Sequence, residues 1–392
     1  MRIAIVQDSL IRSGAERQAM YTVRELTKLG CEVELIYYNK AVYAYDAAKI
    51  VGEDHLTCVP KRGTYFRFLW RLRRYFRQRR FDVVHGFMSG PAFYTGLAGW
   101  LAGVPVVLGG MRVEYDVTGL YRFLHRLVNR VADGWIVNSQ ATARSMVPGV
   151  GADPQRVFVV YNGLDPATVE TTMPTAEAKK RLGLSEAAQT VSIIGRLDPQ
   201  KNHGLFIAAA ERIAARRPDA RFLIVGEGKL RAEIESRIRG SGLTDRVLML
   251  GNRSDMPEIL AATDVCVLTS HYEGLANVLL EAMCVGIPVV CTAYNGADEL
   301  VTDGKEGFLA PLNDADGVAE RILRLLGDPE LRRRMGEAGR ESVRGRFSLE
   351  AMGRNMLSVY ERCLALRRGH HDGRAARSDG EKPASEVSTR ST

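Results

Sequence analysis

Short runs of β-branched and aliphatic residues alternate along the chain with longer stretches whose apolar positions recur at helical spacing. Arg2–Val6 opens the series, and a helix is expected from about Ala15 to Leu29, stopped by Gly30. Val33–Tyr37, Val83–Val84, Pro105–Leu108, Trp135–Val137 and Val157–Val160 continue it. A fresh series opens at Thr190–Ile194 and runs through Arg221–Val225, Val247–Leu250, Val265–Leu268 and Pro288–Cys291. Strands alternating with helices build parallel sheets joined by right-handed crossovers, so two such series predict an α/β chain of two doubly wound domains. Asn-Gly, Asp-Pro and Met-Pro steps between Asn162 and Thr175 are turn signals and mark the boundary. The expected divisions are residues 1–165, residues 176–347, and a helix over 348–366, begun by Ser348, that packs back toward the first domain. Residues 367–392 hold almost nothing to bury and are expected to form a disordered tail.

Composition narrows the class. The 392 residues suit two domains at roughly 150 residues each. With 46% hydrophobic and 26% charged residues, the chain has the balance of a globular protein and not of a disordered one. No apolar run reaches the roughly 18–20 residues that span a bilayer. The N-terminus reads directly as a strand and lacks the features of a signal peptide. Six cysteines are scattered without CxxC spacing, which argues against a disulfide framework or zinc site and for a reducing cytosol.

The most informative stretch runs from Ser270 to Met283. It follows the strand Val265–Leu268, turns through Gly274 and enters a helix near Asn277. The first-turn N–H groups of such a helix are unsatisfied and carry the positive end of its dipole, so they favour a phosphate. Glu273 lies before that helix and Glu281 two turns inside it, at different depths of one site. That spacing suits recognition of vicinal hydroxyl groups better than a paired acid and base. Upstream, Gly195-Arg196-x4-Lys201 leaves the strand Thr190–Ile194, where an open α/β sheet places its ligands. Two cations there could neutralise a diphosphate leaving group. Ser13-Gly14-Ala15-Glu16-Arg17 sits between the first strand and first helix, and Gly14 would let backbone approach a phosphate.

With Glu273-x7-Glu281, Gly195-Arg196-x4-Lys201 and Ser13-Gly14-Ala15-Glu16-Arg17 in this order, the chain from Met1 to about Leu366 resembles the retaining glycosyltransferases of family 4. The resemblance implies a GT-B fold, two Rossmann-like domains facing a central cleft, and a UDP- or GDP-sugar donor with no cofactor or obligatory metal. By that resemblance Glu281 and Glu273 bind ribose and donor-sugar hydroxyls. Arg196 and Lys201 take the diphosphate, and Gly14 approaches it from the opposite domain. Gly274, Leu275, Ala276 and Asn277 form the turn beneath the donor. Glu227 of Gly226-Glu227-Gly228 and Arg253 of Leu250-Gly251-Asn252-Arg253 resemble segments lining the base and ribose pocket. Leu275-Ala276 stands where the family more often has Phe-Pro, a change that bears on sugar choice. The family often places a donor-sugar histidine where this chain has Phe87, so His85, two residues earlier, is either that contact or a structural histidine.

Other features have blander readings. Asp314-Ala315-Asp316 mimics a metal-binding DxD, but it precedes a helix and reads as an N-cap. Lys61–Phe81 holds no acidic residue. At about 100° per residue, Tyr65, Phe68, Leu69, Leu72, Tyr75 and Phe76 share a face that can pack on the first sheet. Phe66 and Trp70 lie opposite, among Arg73, Arg74 and Arg77, which suits an anionic membrane surface. No nucleic-acid-binding motif is present to favour that alternative. The combined expectation is a cytoplasmic, peripheral-membrane glycosyltransferase with a lipid-linked or oligosaccharide acceptor. The competing classes are a sugar phosphorylase or synthase on the same scaffold and a non-enzymatic nucleotide-sugar-binding protein.

Overall fold

The computed structural model describes residues 1–10, 14–39, 44–112 and 119–378, without the side chains of 44–46, 120, 121 and 369–378. Ser13 and residues 379–392 therefore lie outside the described residues. Two parallel sheets make up the described fold. The first contains β1 (Arg2–Gln7), β2 (Glu32–Tyr37), β3 (Leu56–Cys58), β4 (Val83–Gly86), β5 (Val106–Met111), β6 (Gly134–Val137) and β7 (Val157–Val159), in the order β3-β2-β1-β4-β5-β6-β7. The second contains β8 (Gln189–Ile194), β9 (Ala220–Val225), β10 (Val247–Gly251), β11 (Val265–Leu268), β12 (Val289–Thr292) and β13 (Gly307–Ala310), in the order β10-β9-β8-β11-β12-β13. Each order reverses beside its opening strand, between β1 and β4 and between β8 and β11. Open α/β sheets bind ligands at such switch points.

Side chains alternate across each strand and bury on both faces, as a helix-covered parallel sheet requires. In β1, Ile3 and Ile5 join the core beneath the helix Gly14–Lys28, whereas Ala4 and Val6 join the one beneath the helix Tyr65–Arg79. The last helix, Leu349–Ser378, follows the second sheet in sequence but buries Met352, Met356, Tyr360 and Cys363 in the first domain's core. The chain thus crosses between domains twice. Where the crossings meet, Leu164 N donates to Phe347 O at 2.9 Å.

Three expectations need correction. Residues 367–378 were assigned to a tail but continue the last helix. Arg367 Nε donates to Asp133 Oδ1 at 2.6 Å, and the alanines and arginines beyond it extend an existing helix without needing a core. No strand is expected at β3 or β13, because Leu56-Thr57-Cys58 is partly exposed and Gly307-Phe308-Leu309-Ala310 holds no β-branched residue. Tyr65 was placed on the packing face of its helix, yet it is 71% exposed. It opens the helix just past the Thr64 cap, beyond the sheet, and stacks on Tyr94 instead. Phe68, Leu72 and Phe76 of that helix are fully buried, while Phe66 and Trp70 are exposed, with the Arg73 guanidinium 4.5 Å over the Trp70 ring. Asp314 caps the helix Ala315–Gly327 through the Gly317 N–H, 2.8 Å away.

Candidate active site at the domain interface

On the second sheet the site grows from the ends of β8 and β11. After β8 the chain passes Gly195 and Arg196 and makes a short turn over Pro199–Lys201 that ends at Asn202, whose φ of 48° is left-handed. Gly226, at the end of β9, is pressed against this segment: a Cβ there would lie 2.0 Å from the Gly195 carbonyl. After β11, Thr269 Oγ1 donates to the Lys201 and Asn202 carbonyls at 2.9 and 3.0 Å and so ties the two loops together. That tie positions Lys201 Nζ 2.5 Å from Glu273 Oε1. The same carboxylate accepts from Ser270 Oγ at 2.6 Å and Gln200 Nε2 at 3.3 Å. Largely buried and held from three sides, the Glu273 carboxylate is a hydrogen-bond acceptor of defined orientation.

Beyond Gly274 the buried pair Leu275 and Ala276 leads into the helix Asn277–Cys284. Its N-cap position is Ala276, which offers no side-chain acceptor, so the first-turn N–H groups keep their capacity for an anion. Glu281, buried in the second turn, accepts from Arg17 Nη2 of the first domain. Proximity to Glu281 raises the Arg17 pKa, an effect that outweighs burial.

The two domains touch at glycines. A Cβ on Gly14 would fall 2.4 Å from Asn277 Nδ2, and one on Gly274 would fall 2.1 Å from the Arg112 carbonyl oxygen. Asn162 Nδ2 donates to Asn277 Oδ1 at 2.8 Å across the same seam. Further out, Glu299 of the second domain accepts from Gln140 N at 2.7 Å and Ala141 N at 2.8 Å, so it caps the helix Gln140–Val150 of the first. Glu16, buried one turn into the first helix, has its pKa raised to about 7, first by burial and then by Asp8, against the lowering effect of Arg196.

The structure joins some of the sequence-predicted residues and separates others. Lys201, Glu273, Gly274, Leu275, Ala276, Asn277, Glu281 and Gly14 converge on this seam. Arg196 is 73% exposed and pairs with Asp198 at 3.1 Å. Glu227 pairs with Arg231 and lies against Gly251, and Arg253 pairs with Asp255 at 2.5 Å. These two hold the ends of β9 and β10, farther along the sheet. His85 is fully buried within the first sheet and shares a 2.8 Å hydrogen bond between Nδ1 and the Tyr360 hydroxyl. Burial and the nearby Arg112 push its pKa well below the ordinary value, so the imidazole is neutral. Sequence reasoning assigned no role to Arg17, Arg112, Asn162, Gln200 or Ser270. Arg17 and Ser270 lay inside the quoted motifs, whereas nothing local marks Arg112 or Asn162.

Two Rossmann-like sheets with their switch points opposed define the GT-B class of glycosyltransferase folds. The family described as glycosyl transferases group 1 matches residues 174–342, and glycosyltransferase family 4 matches residues 12–168. The chain is 31% identical over 271 residues to the UDP-Gal:α-D-GlcNAc-diphosphoundecaprenol α-1,3-galactosyltransferase of Escherichia coli, covering 66% of this chain and 70% of that one. It is 32% identical over 302 residues to a GDP-mannose-dependent monoacylated α-(1-6)-phosphatidylinositol monomannoside mannosyltransferase of Corynebacterium glutamicum, covering 73% and 77%. Among solved structures, Anabaena HepE in complex with UDP and glucose superposes with a TM-score of 0.81 at 20% identity, covering 92% of this chain and 99% of that one. The chain belongs to glycosyltransferase family 4.

Proposed function

We propose that this glycosyltransferase moves a hexose, with retention and without a metal, from a UDP- or GDP-sugar to a lipid-linked saccharide at the inner face of a membrane, in the assembly of a surface polysaccharide or glycolipid. The Glu273 carboxylate, locked by Lys201 and Ser270 beside the uncapped helix at Asn277, carries this reading. In it, Glu273 holds donor-sugar hydroxyls and Glu281 the ribose hydroxyls. The diphosphate lies between Arg196, Lys201 and the first-turn N–H groups, with Gly14 giving it room. Glu227 and Arg253 border the nucleoside. The bond from the anomeric carbon to the diphosphate breaks, and the acceptor oxygen bonds to the same face. The acceptor proton leaves on a diphosphate oxygen, so no protein base is needed. The cations and helix N-terminus stabilise the departing charge, and closure along the Gly14 and Gly274 seams excludes water. His85, neutral and bound to Tyr360, contributes only as a hydrogen-bonding group.

The acceptor class draws support from the diphosphoundecaprenol and phosphatidylinositol mannoside in the names of the two relatives. No described helix is long and apolar enough to cross a membrane, so contact with a lipid-linked substrate falls to a surface. Phe66 and Trp70 stand exposed on a helix whose only charged residues are arginines.

A panel of UDP, GDP, ADP and their sugar conjugates tests the donor reading, because a ligand that binds only the folded state raises Tm. UDP or GDP is expected to raise it and Arg196→Ala to blunt the response; no response to any nucleotide, with vesicles present or absent, overturns the reading. Phe66→Ser with Trp70→Ser is expected to abolish most sedimentation with anionic liposomes, and unchanged sedimentation removes the membrane surface from it.

A further inference from the structure

At the C-terminal edge of the first sheet, Gln7, His85, Arg112 and Asn138 stand at the ends of the neighbouring strands β1, β4, β5 and β6. Strand alternation puts them on one face. Ile3 and Ile5 precede Gln7, Val83 precedes His85, Leu108 precedes Arg112 and Ile136 precedes Asn138, and all of these apolar residues join the same core. All four polar side chains are buried. Among the described residues, both amide atoms of Gln7, His85 Nε2, Asn138 Oδ1, and Nε and Nη2 of Arg112 find no partner.

Arg112 sets the chemistry of this row. It is 8% exposed, and its guanidinium lies 3.8 Å over the Phe87 ring. Among the described residues, its one side-chain hydrogen bond runs from Nη1 to the neutral Asn162 Oδ1 at 3.3 Å. The free pair, Nε and Nη2, is the side-on edge whose two parallel N–H groups fit a carboxylate or phosphate bidentately. Burial draws the Arg112 pKa down to about 9, so it still carries its charge at neutral pH. Water can satisfy neutral amides and imidazoles. A buried cation without a counter-charge is costly in a way that water relieves only in part. The Arg112 carbonyl meets Gly274, the residue after Glu273, so Arg112 stands on the first domain's side of the seam, facing the turn that carries Glu273.

We infer that Arg112, with His85 and Asn138 on the strands to either side, forms an anion-binding subsite for a carboxylate or phosphate carried by the acceptor. This rests on the glycosyl-transfer reading for the word acceptor, and on the geometry alone for the anion. The acceptor is held by its anionic group against the first domain while its hydroxyl meets the donor sugar bound by the second.

The test titrates malonate and inorganic phosphate, each at matched ionic strength and with UDP or GDP saturating, into the full chain, into Arg112→Met and into Arg112→Lys. Wild type is expected to gain Tm with at least one of the two anions, and which one responds separates a carboxylate-bearing from a phosphate-bearing acceptor. Loss of the charged bidentate contact in Arg112→Met is expected to weaken that anion about tenfold or more. Arg112→Lys keeps a cation on a long stem and loses the fork, and it is expected to weaken binding as well. The nucleotide response is expected to survive in both variants. The inference is overturned if neither anion shifts wild type, if the variants respond as wild type does, or if they lose nucleotide and anion together, which would assign Arg112 to the donor diphosphate. Should no nucleotide shift any of the three proteins, the glycosyl-transfer reading falls. The contrast between wild type and Arg112→Met toward the two anions still decides the subsite.

Discussion

The two walls of the cleft treat charge in opposite ways. On the second domain's wall each carboxylate of the Glu273 and Glu281 pair already has a cation: Lys201 at 2.5 Å for one and Arg17, reaching across the seam, for the other. On the first domain's wall, Arg112 is buried over an aromatic ring with its side-on edge unpartnered among the described residues, and His85, Gln7 and Asn138 hold further unpartnered atoms along the same strand ends. A paired wall can exchange one partner for another at modest cost, because a hydroxyl or phosphate replaces an interaction that was already present. A buried cation without a counter-charge carries a penalty that water relieves only in part and an anion relieves further. The difference suits a cleft in which one side holds a ligand of constant chemistry and the other side selects its partner.

Breaking the paired wall should have the largest effect. Glu273→Gln keeps the size of the side chain but removes the charge that orients toward the sugar and leaves Lys201 without its counter-ion. Turnover is expected to fall about 100-fold with donor KM nearly unchanged, as when a group acting in the transition state is lost. A rise in KM alone would make Glu273 a ground-state contact. Glu281→Ala should act the other way, raising donor KM about tenfold for the loss of a charged hydrogen bond, with kcat little altered. Steady-state kinetics of the two variants side by side read this split, and equal behaviour would collapse the distinction between sugar and ribose roles.

The smallest effect concerns Glu16, the one carboxylate at the seam whose pKa burial raises, to about 7 from 4.5. Between those values the folded chain keeps a proton that the unfolded chain has released. Stability from this group therefore falls as pH rises through that window, and the full penalty stands above about 7. Glu16→Gln is expected to flatten the profile and raise Tm at pH 8 by about 2–4 °C, with little change at pH 5. A Tm profile between pH 5 and 8 that the substitution does not alter would show that Glu16 is ionised in the fold.

Much of this architecture is legible in the sequence. Eleven of the thirteen described strands announce themselves, because strands buried on both faces must be continuously apolar, as in Val265–Leu268, and helices between them must not be. The loop from Ser270 to Asn277 was equally plain, since a strand, a glycine and a helix N-terminus follow one another within a few residues. The edge strands β3 and β13 were not legible: Leu56–Cys58 is partly exposed and lacks the β-branched run that marks the others. Nor was the continuation of the last helix past Arg367, which owes little to burial.

Residue order thus settled the α/β class, the two-fold repeat of the architecture and the donor-side motifs, all of which depend on neighbours along the chain. Which side chains meet across the cleft was settled by packing. Arg17 and Glu281 are 264 residues apart, and neither carries a local mark of the other. Gly14 meets Asn277, and Gly274 meets Arg112, only because two crossings and a returning helix set the domains face to face. The unfilled edge of Arg112 is visible only there as well, since burial and the absence of a partner are properties of all the elements around a residue and not of the residues beside it in the chain.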